Sequence, residues 1–457
     1  MNTIYIANID NEDMLGDRSL VTHEFCCHSA VAASKHAWFA EPGDIVILPE
    51  NLSPDMQSYQ AQVKGFDDNA VTFIAPSRSS LEVSPVGVTE LLSRSVLEGV
   101  IQKIDSKTNW TIAPYHHDYA SSIFAEKLGL AKLHHSAAFL DQGGAVLFNT
   151  KGNFRALASG CGISLAQGTA VRTPEQLAAA IEDYIGKTGA VIIKQDRHSG
   201  ALGNIVVTQT EDTDGQGAFD VVTLNSRLTP SKAALLVWDR LRATKSDALI
   251  VEVYFPVSAV CYAEFHIEDK NKPPTFLNMG EQRMEPLFAG FEIPGRIPPY
   301  MQARFISGAT YLVRLAQDLG YTGFIDVDGI ITRDGEVKYC EVNGRYGGCS
   351  HVHHLAEALL GAGYGNSHTI VTRNGVQAPA FSELLQLIGD HDLHLAAEKR
   401  EGILITAEDS GRSGNVDYLI AAESRDRALD IERWFLEQLG HACQLSQFRP
   451  QKLRVCN

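Results

Sequence analysis

The run from Asp326 to Arg345 concentrates the groups best able to do chemistry. Asp326 and Asp328 are two apart, and Glu341, Asn343 and Arg345 repeat that spacing. Side chains at i and i+2 of a strand share a face, so each set projects together. Ile325, Val327, Ile330 and Ile331 favour one strand, and Val337, Tyr339 and Cys340 favour a second. Asp334-Gly335 between them is a turn pair. A hairpin sets the two faces side by side and gathers carboxylates, an amide oxygen and a guanidinium. Hard oxygen donors with open positions suit Mg²⁺ shared with nucleotide phosphates, and the guanidinium suits a phosphate beside the metal. Paired acids on a strand are ordinarily a solvated face with a surface ion pair. Here both flanks are apolar, which predicts a buried sheet where charges need a partner or a metal.

Other polar groups stand at the ends or in the middle of apolar runs. Ala190-Val-Ile-Ile-Lys194 is a strand ending in lysine. A loop of small residues, His198-Ser199-Gly200-Ala-Leu-Gly203, leads to a returning strand at 205–207. Ala248 to Phe255 is a buried strand carrying one acid, Glu252, and Pro256 ends it. Histidines cluster at Tyr115-His-His-Asp-Tyr119, at His134-His135 and at His351-Val-His353-His354. Hydrogen bonding is the favoured reading for the first two clusters, and substrate contact or helix capping for the third, ahead of metal binding.

These positions need scaffolding. A strand at 4–7, a helix at 29–39 and a strand at 44–48 predict a βαβ unit. A helix at 87–99 and strands near Val100 and Trp110 complete a region, 1–115, with no dinucleotide fingerprint. Residues 116–150 form a connector. Thr173-Pro174-Glu175-Gln176 opens a helix with an N-cap, Pro at N1 and Gln at N3. Another helix spans 307–319, and a short one spans 353–360. The segments 151–247 and 248–377 hold the candidate site. The last, 378–457, reads as a small α+β appendage with helices at 383–388 and 426–439 and a strand pair at 402–406 and 416–421.

The chain has 457 residues, room for several domains. Its 44% hydrophobic and 21% charged residues fit a globular enzyme and exclude a disordered chain. A formal net charge of -16 disfavours nucleic acid or an anionic membrane as main partner. No signal peptide or long apolar span is evident, and eight scattered cysteines read as free thiols, so a cytoplasmic location is expected.

Lys151, Lys194 with its loop, Glu252 and the hairpin, in that order, resemble the ATP-grasp superfamily over residues 140–375. Glu341-Val-Asn343-Gly-Arg345 is similar to that family's E-x-N-x-R strand, and Ile250-Val-Glu252-Val-Tyr254 to the strand where adenine docks. Gly43-Asp-Ile-Val-Ile-Leu-Pro49 and the Asn-Leu-Ser-Pro after it make the N-terminal region similar to the pre-ATP-grasp domain of peptide ligases. The resemblance implies two α+β subdomains clasping ATP, in an α/β and α+β multidomain chain with an α/β N-terminal domain and a C-terminal α+β appendage. It implies ATP with Mg²⁺, or Mn²⁺ in its place. Lys151 and Lys194 would bind phosphates, and Ser199, Gly200 and Gly203 would form the lid loop. Ala201-Leu202 depart from the family's glycine-dense tract and stiffen that loop. Glu252 would accept hydrogen bonds from adenine or ribose, and the backbone of Val253, Tyr254 and Phe255 would read the adenine edge. Asp328, Glu341 and Asn343 would hold metal, with Asp326 in reserve for Asp328. Arg345 would steady the transferring phosphoryl group. Arg283 is a second phosphate candidate, with a plain surface arginine as its alternative. The implied activity is carboxylate–amine ligation through an acyl phosphate, on amino acids or short peptides. Alternatives are a thiol or hydroxyl acceptor, including a carrier protein, and an ATP-binding scaffold without turnover; a homodimer stays open.

Overall fold

The computed structural model describes residues 1–15, 22–77, 83–104, 109–130, 137–198, 201–241 and 248–447. Three sheets organise them. The first is parallel: β1 (Asn2–Ile6), β2 (Ile45–Ile47), β3 (Thr72–Ile74) and β4 (Trp110–Pro114), in the order β3-β2-β1-β4. Parallel strands are buried on both faces, which explains the near-continuous Ile-Val-Ile of β2. The helix expected over 87–99 is two helices, Val88–Leu91 and Arg94–Ile101. Ser93 breaks it, because its hydroxyl caps the second helix at the Val96 N–H. Val100 is a buried residue of that second helix and not part of a strand, since its apolar side chain faces the core with Val96.

The second sheet contains β5 (Gly168–Val171), β6 (Ala190–Gln195), β7 (Asn204–Thr208), β8 (Asp220–Thr223) and β9 (Leu249–Val253), ordered β5-β9-β6-β7-β8. Helices Pro174–Ile185 and Pro230–Leu241 cover one face, packing Leu177, Ile181, Ala233 and Val237 against Val191, Ile193, Val207 and Val251. Thr173 caps the first helix at the Gln176 N–H, while Gln176 accepts from Arg172 N–H instead of closing a capping box.

The third sheet is antiparallel and eight-stranded. It comprises β10 (Val257–Ile267), β11 (Thr275–Glu285), β12 (Leu287–Ile293), β13 (Gly323–Thr332), β14 (Val337–Asn343), β15 (Thr369–Gln377), β16 (Gly402–Asp409) and β17 (Asn415–Ala422). The order is β14-β13-β10-β11-β12-β15-β17-β16. The C-terminal segment is α+β as expected, and its strands are continuous with the hairpin's sheet. β10 to β12 had no counterpart in the sequence reading. Their polar residues, among them Glu264, Asn278, Gln282 and Arg283, blur the apolar alternation that marks a strand. The Pro299–Leu319 helix lies under the hairpin, seating Phe305, Leu312, Val313 and Ala316 in a core with Ile325, Val327 and Tyr339. Among the described residues no helix is long and apolar enough to cross a membrane.

Candidate active site

The register of β13 and β14 sets Asp326 opposite Asn343 and Asp328 opposite Glu341. A bulge follows directly: Gly329 pairs with Tyr339, leaving Cys340 as the extra residue. A side chain at Gly329 would put Cβ 2.7 Å from both the Lys338 carbonyl and the Phe305 ring, so the bulge requires glycine. The Asp328 carboxylate accepts from Gln282 Nε2 at 2.6 Å and from Asn343 Nδ2 at 2.9 Å. Asn343 Oδ1 accepts from Arg345, whose guanidinium also reaches Asn149 Oδ1 at 3.2 Å.

The cations come from the second sheet and the helix before it. Lys151 starts the Lys151–Gly160 helix; its Nζ lies 3.1 Å from Glu341 Oε2 and donates to the His198 carbonyl at 3.0 Å. Lys194, at the end of β6, lies 2.8 Å from Glu252 Oε2 on β9. Arg155 lies 2.6 Å from the other oxygen, Oε1. Glu252 is thus clamped between two cations and holds Lys194 in place, while lining the cleft itself. Arg155 is one helical turn beyond Lys151, an i, i+4 relation that the sequence could have disclosed. The other missed groups, Gln282, Asn149 and Glu264, carry no motif.

Charge decides the protonation states. Burial opposes ionisation of Glu341, yet Lys151, Arg345 and Lys194 outweigh it and hold the carboxyl down to about 2. Burial and the neighbouring Asp326 and Glu341 push Asp328 well above the carboxylate range. Burial, Glu264 and Glu341 likewise raise Asp326, against the pull of Arg345. Its Oδ1 is buried with no hydrogen-bond partner among the described residues. Burial opposes the charge on Lys194 too, but Glu252 prevails and raises its pKa. Crowded carboxylates that cannot all ionise alone are what a divalent cation relieves. Asp328, Glu341 and Asn343 supply hard oxygens suited to Mg²⁺ and leave positions for phosphate and water. Among the described residues no three His, Cys, Asp or Glu converge as a preformed metal cage.

Several expected residues stand elsewhere or in altered roles. Arg283 is withdrawn as a phosphate ligand: its guanidinium forks onto Glu432 at 2.7 and 2.8 Å and donates to the Thr372 carbonyl, tying β11 to the C-terminal helix. The Val253 and Tyr254 N–H groups donate to Gln167 and Ala190 carbonyls. The Phe255 N–H has no acceptor among the described residues and stays available to a ligand. Cβ at Gly203 would meet Gln195 Oε1 at 2.6 Å and His198 Cβ at 2.7 Å, so the loop's own packing demands that glycine. Ser199, Gly200, His134 and His135 lie outside the described residues. His117 hydrogen-bonds Ser122 Oγ, and Asp118 caps the following helix at the Ser121 N–H. His353 meets the Tyr364 hydroxyl at 3.1 Å, and the His354 ring packs 5.1 Å from Phe39. His351 is buried at the cleft wall and kept neutral by burial and by Lys35 beside it.

One cavity of about 530 Å³ is lined by Val253–Phe255, Lys194, Lys151, Asp328, Glu341 and Arg345, and also by Lys35, Asn374 and Asp417.

A family model described as the pre ATP-grasp domain matches residues 33–130, and one described as the PGM1 C-terminal domain matches residues 383–434. Among solved structures, an ADP complex of N5-carboxyaminoimidazole ribonucleotide synthetase is similar at 15% identity, with 98% of each chain covered and a TM-score of 0.52. The Aspergillus clavatus synthase with ADP and 5-aminoimidazole ribonucleotide is 12% identical over 96% of this chain and 99% of that one, TM-score 0.52. The biotin carboxylase–β,γ-ATP complex of Campylobacter jejuni is 12% identical over 96% and 91%, TM-score 0.54. No curated protein matches. Identities this low are likenesses of fold.

Proposed function

We propose that this chain, which has the ATP-grasp fold with an N-terminal pre-ATP-grasp domain, is an ADP-forming ligase that joins a carboxylate to an amine. One observation carries the reading: three cations, Lys151, Lys194 and Arg345, meet Asp328 and Glu341 around a single cleft. Cations set against carboxylates in that way form a receptacle for a metal-bound polyphosphate. Relatives of the same fold are seen with ADP or an ATP complex, which supports nucleotide use.

Adenine would lie against Val253–Phe255, where the Phe255 N–H has no acceptor among the described residues. Lys151 and Lys194 would exchange their carboxylate partners for phosphate oxygens. Asp328, Glu341 and Asn343 would hold Mg²⁺, which when bound neutralises phosphate charge and makes the γ-phosphorus easier to attack. A substrate carboxylate oxygen attacks that phosphorus and ADP leaves, giving an acyl phosphate. Arg345 steadies the charge on the transferred group. The amine nitrogen then attacks the acyl carbon, phosphate departs, and the nitrogen loses a proton to give the amide. Amino acids and short peptides are the proposed substrates. No side-chain nucleophile enters; positioning and exclusion of water from the acyl phosphate do the work.

Hydroxylamine trapping tests this. The chain is incubated with ATP, Mg²⁺, hydroxylamine and a panel of amino and other carboxylic acids. The expected result is ADP together with a hydroxamate of one acid. ADP without hydroxamate from any carboxylate would sink the ligase in favour of a kinase, and absence of both would favour the scaffold.

A further inference from the structure

The same cavity is also lined by a cluster drawn from three distant segments. Lys35 ends the His23–Ser34 helix, Asn374 lies on β15 and Asp417 on β17. Lys35 Nζ is 2.8 Å from Asp417 Oδ2 and donates to Asn374 Oδ1 at 3.0 Å. The Gly375 N–H donates to Asp417 Oδ1 at 2.6 Å. Every acceptor oxygen of the cluster is therefore engaged. The donors are not: the Lys35 ammonium has three N–H and uses two, and the Asn374 amide nitrogen meets no acceptor among the described residues. All three residues line the cavity, and Lys35 is the one cation among its described lining residues away from the phosphate end. Asp417 balances the charge of Lys35 without using its third N–H, and Asp409 is paired with Arg412 at 3.0 Å.

We propose that Lys35 and Asn374, held in place by Asp417, form a subsite for a free carboxylate of the second, amine-bearing substrate. A carboxylate brings two acceptor oxygens and no donor, which complements the unused N–H groups of Lys35 and Asn374. The placement also suits a carboxylate that is not the one being activated. Arg345 and Lys35 are each one residue from a member of a ring pair in contact, Tyr346 and His36, whose centroids are 4.7 Å apart. Lys35 and Arg345 are thus separate cations lining one cavity, so one can hold the acyl phosphate and the other the acceptor's carboxylate. The acceptor is then an amino acid or peptide carrying its own carboxylate, and the product keeps that carboxylate. This rests on the ligase reading for the identity of the reacting groups, but not for the existence of the subsite.

The test is a binding titration of the full chain, which does not depend on turnover. Calorimetry with Mg²⁺ and a non-hydrolysable β,γ-imido ATP analogue uses the twenty proteinogenic amino acids and their carboxamides as probes. At least one acid binds, and its carboxamide binds at least ~10-fold more weakly. Lys35→Gln removes that preference, and Asn374→Ala, which leaves the Lys35–Asp417 pair intact, reduces it, while affinity for the analogue is unchanged in both. The proposal is overturned if no acid is preferred over its amide, or if Lys35→Gln weakens acid and amide equally. The latter would make the cluster a tie between domains only. Failure of hydroxylamine trapping with this preference intact would remove the ligase and leave the subsite standing.

Discussion

The two ends of the cleft are built on opposite principles. At the phosphate end the two lysines already face carboxylates, Lys151 with Glu341 and Lys194, beside Arg155, with Glu252, while Arg345 donates to Asn343 and Asn149. At the far end a single lysine meets a single acid, and hydrogen-bond donors are left over. The first end is a balanced charge lattice that must be opened and rearranged by its ligand. The second is already shaped for one. The contrast follows from construction. At the phosphate end Asp328 with Glu341, and Lys194 with Glu252, come from paired strands, whereas Lys35 and Asn374 stand 339 residues apart and meet only when the fold closes.

The strongest way to break the comparison is to unbalance the lattice. Glu341→Gln keeps shape and removes the charge that Lys151, Arg345 and Lys194 hold ionised. ADP formation is expected to fall at least ~10²-fold, with little change in the melting temperature. Steady-state ADP release and thermal unfolding check both; unchanged turnover would refute the metal assignment. A finer cut separates Lys194 from Arg155, which share Glu252. Lys194→Met should weaken binding of a non-hydrolysable ATP analogue about 10- to 100-fold, since a charge-assisted phosphate contact is lost. Arg155→Met should cost less, because Arg155 acts by fixing Glu252. If the Arg155 variant binds the analogue as poorly as the Lys194 variant, Arg155 is itself a phosphate ligand.

What the sequence disclosed tracks the same contrast. Asp326, Asp328, Glu341 and Asn343 were legible because strand periodicity is local, and the register then fell where the turn at Asp334-Gly335 put it. Glu252 was found, but its partners were not, since a buried acid announces a need for cations without naming them. Lys35, Asn374 and Asp417 gave no signal at all. Each is an ordinary polar residue in its own segment, and only β15 and β17 joining the hairpin's sheet brings them to the cavity. Arg283 failed the other way: a promising residue in a promising segment was claimed by Glu432, 149 residues on.

That ion pair gives a control lying outside both ends. Glu432 is nearly buried and is also reached by the Tyr418 hydroxyl at 2.9 Å and by Arg373. Arg283→Ala should lower unfolding stability by about 2 kcal/mol in urea titration, because a buried carboxylate loses its bidentate partner but keeps two others. The KM for ATP should not move. A raised KM with unchanged stability would return Arg283 to the phosphate site.

The smallest effect concerns Glu264, directly opposite Asp326 in the β10–β13 register and fully buried. Burial pushes its carboxyl from the ordinary 4.5 up to about 7, against hydrogen bonds from Ser350 and Asn278 that favour the charged form. An acid whose folded pKa is raised binds more protons folded than unfolded throughout the window from 4.5 to 7. Stability therefore falls as pH rises across that window and levels off above it. Glu264→Gln, which mimics the protonated form, should erase this slope. The wild type should lose on the order of 1 kcal/mol relative to the variant between pH 5 and pH 7.5, measured by urea unfolding. A difference that grows in the wild type's favour with pH would mean that Glu264 is ionised in the fold. The carboxylate cluster around Asp326 would then carry one more negative charge, and the balance at the phosphate end would need a further cation to meet it.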